Sequence, residues 1–250
     1  MVDATAAVRS GATSLGFVFA SGNRTASRVF AAEVAQAHPS LDRVGVVQNL
    51  NSDQIFELIA ETSITSLQFH GSETLEFVEK LRAELNSHRF AQSFKERALN
   101  LDDRRRVLGS IRFIRALDVD EKLTLEMIES WSAVVDVILF DSPRSTEPRL
   151  TGSRQASPLS QVSRARSRIN LSKIVTLLDS KSRQSKFWIA GRLNAQNVAS
   201  AMRYLQDHQL NPDGVDVSSG VEVSAGIKDQ KMLNNFIENV KSARGERRGT

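Results

Sequence analysis

Cysteine is absent from all 250 residues. That excludes disulfides, thiolate-bound metals and cysteine nucleophiles, and nothing in the chain points to an oxidising compartment. Aromatic side chains are scarce, with one Tyr and two Trp beside twelve Phe, too few for a base-stacking surface. No apolar run approaches the roughly 20 residues that span a bilayer, and the N-terminus lacks the basic-then-apolar pattern of a secretory signal. The expectation is a soluble, cytoplasmic chain with neither membrane nor nucleic acid among its partners. An excess of one charge sign is also lacking: 33 basic against 29 acidic residues leave a net charge of +4. The surplus gathers in Arg104-Arg105-Arg106, in Arg164 to Arg168 and in the tail from Arg244 to Arg248, clusters far apart in sequence that read as solvated helix surface and, over 244–250, a disordered basic end.

What is present is a hydrophobic content of 40%, enough for a full core, arranged as apolar runs alternating with helical-period stripes. The runs Ser14–Phe19, Arg43–Val47, Ser66–Phe69, Arg112–Leu117, Val134–Phe140, Phe187–Ala190 and Gly214–Val217 read as strands. Val29, Phe30, Val34 and Ala37 share one stripe, Leu75, Val78, Leu81 and Leu85 another, and Met232, Leu233, Phe236, Ile237 and Val240 a third. Val2 to Val8 reads as a helix ahead of the first strand. Repeated strand–helix units around a parallel sheet make an α/β fold, expected as a single domain over 1–243. Two stretches interrupt the rhythm and read as insertions: 82–110, charged, and 143–185, rich in Pro, Ser and Arg, with a helix around Leu171 to Leu178.

The segment Gly214-Val215-Asp216-Val217-Ser218-Ser219-Gly220-Val221-Glu222 carries the chemistry. A strand ends there in small residues whose N–H groups can approach an anion, and Asp229 opens a helix whose N-terminal dipole favours negative charge. The ligand suggested is a phosphorylated small molecule.

Several further segments resemble one family in order along the chain. Gly11-Ala12-Thr13-Ser14-Leu15-Gly16-Phe17-Val18-Phe19-Ala20, Val44-Gly45-Val46-Val47-Gln48-Asn49, Leu67-Gln68-Phe69-His70-Gly71-Ser72-Glu73, Ile138-Leu139-Phe140-Asp141-Ser142 and Ile189-Ala190-Gly191-Arg192-Leu193-Asn194 are similar to the second, third, fourth, sixth and seventh strands of phosphoribosylanthranilate isomerase. The segment from Gly214, continuing to Gly226-Ile227-Lys228-Asp229, resembles the eighth. The resemblance implies a (β/α)8 TIM barrel and an Amadori rearrangement, in which an acid protonates the ribose ring oxygen and a base removes the C2 proton, without a metal or redox cofactor. It implies a monomer or homodimer acting on a phosphorylated substrate in tryptophan biosynthesis.

Carried over residue by residue, Asp141 resembles the general acid, its pKa expected to be raised by apolar neighbours such as Ile138 and Phe140. Arg24 resembles the arginine that holds the anthranilate carboxylate, with Arg28 as a competing candidate. His70 either positions a catalytic group or hydrogen-bonds within the barrel mouth. Asp216 resembles the eighth-strand aspartate that binds substrate, or else is a buried core acid. Gly191 with Ser218, Ser219 and Gly220 would wall the phosphate site.

The chain departs from the family pattern in three places. The first strand, whose Lys-x-Cys-Gly motif carries the general-base cysteine, has no counterpart, so the barrel is expected to lack one strand. Arg192 stands where a second glycine is usual, where it either blocks the site or adds a phosphate contact, and Arg149-Leu150-Thr151-Gly152 stands where Gly-Gly-Thr-Gly is usual. Arg115 keeps the basic residue of the fifth strand. A catalytically inactive barrel that retains phosphate-ligand or partner binding is the alternative reading.

Overall fold

The structure is a computed structural model that describes residues 2–22, 25–87, 111–143, 169–178 and 186–245. Seven strands form where the apolar runs predict them: β1 (Ser14–Val18), β2 (Asp42–Val47), β3 (Ser66–Phe69), β4 (Arg112–Asp118), β5 (Val137–Asp141), β6 (Phe187–Ile189) and β7 (Gly214–Val215). They pair in chain order, all parallel, in one curled sheet. Parallel neighbours need a crossover, and helices supply it: α1 (Val2–Ser10) precedes β1, and α2 (Arg28–Ala37), α3 (Ser52–Thr62), α4 (Leu75–Leu85), α5 (Leu125–Ser132), α6 (Leu171–Leu177), α7 (Val198–Asp207) and α8 (Gln230–Ala243) follow. Local chemistry starts most of them. Ser27, Asn51, Thr74, Thr124, Asn170 and Asp229 each accept a backbone N–H of the first turn on a side-chain oxygen, satisfying a donor the helix cannot. A short hairpin, β8 (Glu222–Ser224) and β9 (Ile227–Lys228), lies between β7 and α8.

Alternation along each strand sorts the core into two layers. Val47, Leu67, Phe69, Phe113, Ile138, Phe140 and Ile189 pack outward with the helices. Val44, Ile114, Ala116, Val137, Leu139 and Ala190, with Val46 and Trp188 against them, fill the lumen. At the N-terminal end of the lumen the apolar filling gives way to a polar plug. Asp42 accepts hydrogen bonds from the hydroxyls of Ser14, Thr65 and Ser66 at 2.7–2.8 Å and pairs with Arg112. The Arg112 guanidinium also lies 5.1 Å over the Trp188 ring, so the plug ties β1, β2, β3, β4 and β6 together.

The sheet does not close: β1 and β7 are its two ends. The helical layer nevertheless continues across the seam, because α1 packs on α8, Asp3 accepts the Lys228 N–H at 3.0 Å, and Gln230 donates to the Ser10 hydroxyl at 2.9 Å. On the β1 side, part of the free edge is covered by its own loop, where Thr25 bridges Val18 and Ala26 donates to the Val18 carbonyl. Among the described residues this is a TIM-barrel-like fold with seven barrel strands.

Two boundaries differ from the sequence expectation. β5 begins at Val137 rather than Val134 because the N–H groups of Val134 and Val135 both turn back to the Trp131 carbonyl and finish α5. The insertion expected from Arg82 begins later, since Arg82 to Leu85 complete α4. Its remainder from 88 to 110, together with 144–168, which includes Arg149 to Gly152, lies outside the described residues. The helix expected near Leu171 to Leu178 is α6.

Replacing Asp42 by alanine leaves Arg112 and three hydroxyl donors without their acceptor. The expected cost is about 2 kcal/mol, reduced from a fully buried case by the partial exposure of the pair. A urea midpoint unchanged by Asp42→Ala would show that the plug does not hold the strands.

Candidate active site

Asp141 ends β5 on the lumen side, in phase with Val137 and Leu139. The apolar neighbours expected for it, Ile138 and Phe140, face the helices instead, because one residue along a strand reverses the face. Its immediate contacts are polar. Oδ1 accepts the Ser142 N–H at 2.7 Å, and Oδ2 lies 3.7 Å from Nε2 of His70. His70 is held on three sides: its N–H donates to the Val47 carbonyl at 3.0 Å, its carbonyl accepts from Gln48 Nε2 at 3.0 Å, and its Nδ1 lies 3.3 Å from the Gln68 amide nitrogen. With the Gln68 NH2 donating, Nδ1 is the acceptor, and the neutral ring carries its proton on Nε2, toward Asp141.

The loops that carry His70 are clamped from below. The Glu73 carboxylate accepts the N–H groups of Asn49 and Gly71 at 2.7 and 2.9 Å and pairs with Arg115 at 2.8 Å. Arg115 also donates to the Gly71 carbonyl and lies 4.5 Å over the Trp131 ring. Burial pulls the Arg115 pKa down, and the neighbouring Glu73 works against that shift. The basic residue noted on this strand is thus a fastening for the loops after β2 and β3.

Beside Asp141, the ends of β5, β6 and β7 enclose a pocket of about 250 Å³ lined by Asp141, Gly191, Arg192, Asp216 and Ser218 to Gly220. Two glycines are sterically required. Gly191 has φ +90°, and a Cβ there would sit 2.6 Å from the Ser142 nitrogen. At Gly220 it would lie 1.8 Å from the Leu193 carbonyl oxygen. Arg192 follows Gly191 with φ +55°, a left-handed conformation that costs a non-glycine residue about 1 kcal/mol, and its carbonyl accepts from Asn197 Nδ2 at 2.9 Å. Ser219 to Val221 form a single 3-10 turn at the pocket. The helix opened by Asp229 does not line it: the β8–β9 hairpin intervenes, and the Asp229 carboxylate already occupies the first turn of α8 by accepting the Met232 N–H at 2.7 Å. The groups that line the pocket on this side are therefore loop N–H groups and the Arg192 residue, not the start of that helix.

Asp216 stands at the end of β7, its N–H bonded to the Ile189 carbonyl, exposed at the pocket it lines. Loss of hydration pushes its carboxyl pKa up, while Lys228 and the Val217 N–H pull the other way. Sequence reasoning quoted Lys228 without giving it a role. Its ammonium donates to the Ser218 carbonyl and to Glu222 Oε1, each at 2.9 Å, bracing the loop that forms one pocket wall. The signal was its place in Gly226-Ile227-Lys228-Asp229, but its reach across the hairpin is a matter of folding.

The structure thus gathers Asp141, Asp216, Gly191, Arg192, Ser218, Ser219 and Gly220 around one pocket, with His70 against Asp141. Arg24 lies outside the described residues. Its competitor Arg28 is turned to α3, where it pairs with Glu61 at 2.7 Å on the surface. Among the described residues no group of three His, Asp or Glu side chains is placed to hold a metal, and no helix is long and apolar enough to cross a membrane.

The family model of N-(5'-phosphoribosyl)anthranilate (PRA) isomerase matches residues 1–98 and 97–239. The chain belongs to the phosphoribosylanthranilate isomerase family. Isomerases of this name from Synechococcus sp. and Acetivibrio thermocellus are 31% and 29% identical over 225 and 231 residues, covering 88% and 92% of this chain and 82% and 86% of theirs. The solved isomerase of Thermotoga maritima superposes with a TM-score of 0.65 at 26% identity, covering 96% of this chain and 94% of that one. A phosphoribosylanthranilate isomerase solved in complex with reduced 1-(o-carboxyphenylamino)-1-deoxyribulose 5-phosphate matches with the same identity and TM-score.

The glycine contacts separate pocket geometry from general packing. Gly220→Ala is expected to cost about 2 kcal/mol, because a backbone oxygen cannot give way as a flexible side chain would. Gly16→Ala, whose nearest neighbour would be a Val46 methyl at 4.0 Å, should leave stability within about 0.5 kcal/mol. Equal urea midpoints for the two variants would remove the claim that the 3-10 turn is pinned on the β6–α7 loop.

Proposed function

We propose that this isomerase-family chain converts N-(5-phosphoribosyl)anthranilate into 1-(2-carboxyphenylamino)-1-deoxyribulose 5-phosphate, an Amadori step of tryptophan biosynthesis. The observation that carries the reading is a lumen-facing carboxyl, Asp141, placed beside a glycine- and serine-walled pocket at the C-terminal ends of the strands, the face where barrel enzymes do their chemistry. The crystallised relative bound to a reduced form of that product supports the same ligand class.

In this reading Gly191, Ser218, Ser219 and Gly220 take the substrate phosphate on backbone N–H and hydroxyl donors, and Arg192 adds a guanidinium contact that the usual glycine does not offer. Asp141, as the neutral acid, protonates the ribose ring oxygen so that the ring opens to an iminium. The Nε2–H of His70 faces the carboxylate left behind and stabilises it, which makes His70 a positioning group for Asp141. Asp216 lies toward the sugar carbons, and Arg24 is assigned the anthranilate carboxylate by resemblance. A cytoplasmic location, and a monomer or homodimer, complete the reading.

A second reading, a homologue that binds the phosphorylated ligand without turning it over, is favoured by Arg192, which stands in a left-handed conformation at the pocket where the family usually has glycine. The two separate in one experiment. Loss of substrate fluorescence is followed for the chain and for Asp141→Asn, with affinity for the reduced product analogue measured in parallel. The isomerase reading expects turnover that falls by about 1000-fold or more in Asp141→Asn while analogue affinity stays within about threefold. Analogue binding without turnover in either protein would establish the binding-only homologue.

A further inference from the structure

One 3-10 turn, Ser219 to Val221, is the regular structure of the pocket wall after β7, so the shape of that wall is set by contacts from outside it. On one side the Leu193 carbonyl stands against Gly220. On the other stands Lys228. We infer, on the phosphate assignment proposed above, that Lys228 is a positioning residue for the substrate phosphate: it holds the Ser218–Gly220 wall in its anion-binding shape and sets a fixed positive charge behind it.

Lys228 belongs to β9 and pairs across the hairpin with Glu222 of β8. Its Nζ donates at 2.9 Å both to Glu222 Oε1 and to the Ser218 carbonyl, and the Ser218 hydroxyl lies 3.5 Å from the same Glu222 oxygen. The carbonyl and the N–H of a planar trans peptide point to opposite sides. With the Ser218 carbonyl turned to Lys228, the Ser219 N–H is therefore turned away from it, and Ser219 lines the pocket. An ammonium on the carbonyl also polarises that peptide, which strengthens its N–H as a donor. Without Nζ the peptide loses the hydrogen bond that sets its rotation.

The same contacts contribute little to stability. Exposure of the side chain is 24% for Lys228 and 4% for Glu222, and the attraction within an ion pair so far removed from water does little more than offset its desolvation. The hairpin also buries little apolar surface, since Val223 and Ile227 are exposed. Polar contacts tie it down instead. The Lys228 N–H donates to Asp3 Oδ2 at 3.0 Å, and the Asp229 N–H to the Val221 carbonyl at 2.9 Å. Lys228 is thus fastened to α1 through its backbone and reaches the pocket wall through its side chain.

Its charge acts at the pocket as well. Asp141 and Asp216 line that space, so a phosphate entering it meets two carboxyl groups. The Lys228 cation already works against the rise of the Asp216 pKa, and a phosphate on the adjoining wall lies in the same field.

The test compares the full chain with Lys228→Arg and with the double variant Lys228→Met/Glu222→Gln, in which a neutral amide replaces the carboxylate that the lost ammonium would leave buried. The probes are the reduced product analogue and the same compound without its phosphate. In the double variant, affinity for the phosphorylated probe is expected to fall about 10- to 100-fold, the range for a lost hydrogen bond to a charged group. Affinity for the unphosphorylated probe should change by less than about threefold, and in turnover the loss should appear in KM with kcat within about threefold. The urea midpoint should stay at the parent value. Lys228→Arg should restore part of the lost affinity, because a guanidinium can donate to both oxygens. Unchanged affinity for the phosphorylated probe in the double variant overturns the inference and leaves the isomerase reading standing. So does an equal loss for both probes with a lowered urea midpoint, which would make Lys228 a part of the fold alone. A parent chain that binds the two probes equally overturns the phosphate assignment itself.

Discussion

Alternation of side chains along parallel strands divides this molecule into two halves that do different work. Residues in one phase, such as Phe69, Phe113 and Phe140, sink into the helical layer and supply the hydrophobic burial that holds the sheet and helices together. Residues in the other phase meet in the lumen, where they run from the Asp42 plug at one end, through Val44, Leu139 and Ala190, to Asp141 at the other. A one-residue slip in β5 would bury Asp141 against the helices and turn Phe140 into the pocket, so the site depends on register before it depends on any single hydrogen bond.

The polar groups are arranged around the same axis. At the N-terminal end they are saturated: Asp42, Arg112 and three hydroxyls satisfy one another and give the strands a common anchor. At the C-terminal end the polar groups divide between fastening loops and lining the pocket. Glu73, Arg115 and Gln68 use their donors and acceptors to fasten loops and orient His70, while Asp216, Arg192 and the Ser218–Gly220 turn face the pocket. The seam between β1 and β7 adds to this asymmetry. The helical layer bridges it through α1 and α8, so the outer wall continues across the unpaired edges of the sheet.

Much of the fold was legible because its signals are local. Strands such as Ser66–Phe69 and Arg112–Leu117 are short apolar runs, and Leu75, Val78, Leu81 and Leu85 recur at helical spacing. The errors were local too. Val134 and Val135 look like the start of a strand by composition, but both donate to Trp131 and end a helix. Asp229 was correctly read as opening a helix, yet its carboxylate satisfies that helix itself, and the hairpin keeps the helix from the pocket. The ion pair of Arg28 with Glu61 joins α2 to α3, a contact that no local pattern announces.

What the sequence determined by itself is the set of parts: seven β runs and their helices, the small residues at Ser218 to Gly220, the lumen carboxylates and the absence of a thiol. These follow from residue type and spacing, which act over a few residues. Tertiary structure alone decided which of the parts meet. Gly191 must be glycine because the backbone at Ser142 passes within 2.6 Å of its missing Cβ, and Gly220 because the Leu193 carbonyl does so within 1.8 Å. His70 faces Asp141 across 3.7 Å. Each of these is a contact between segments far apart in the chain, set by how a curled parallel sheet brings its strand ends to one mouth, and no local pattern encodes that distance.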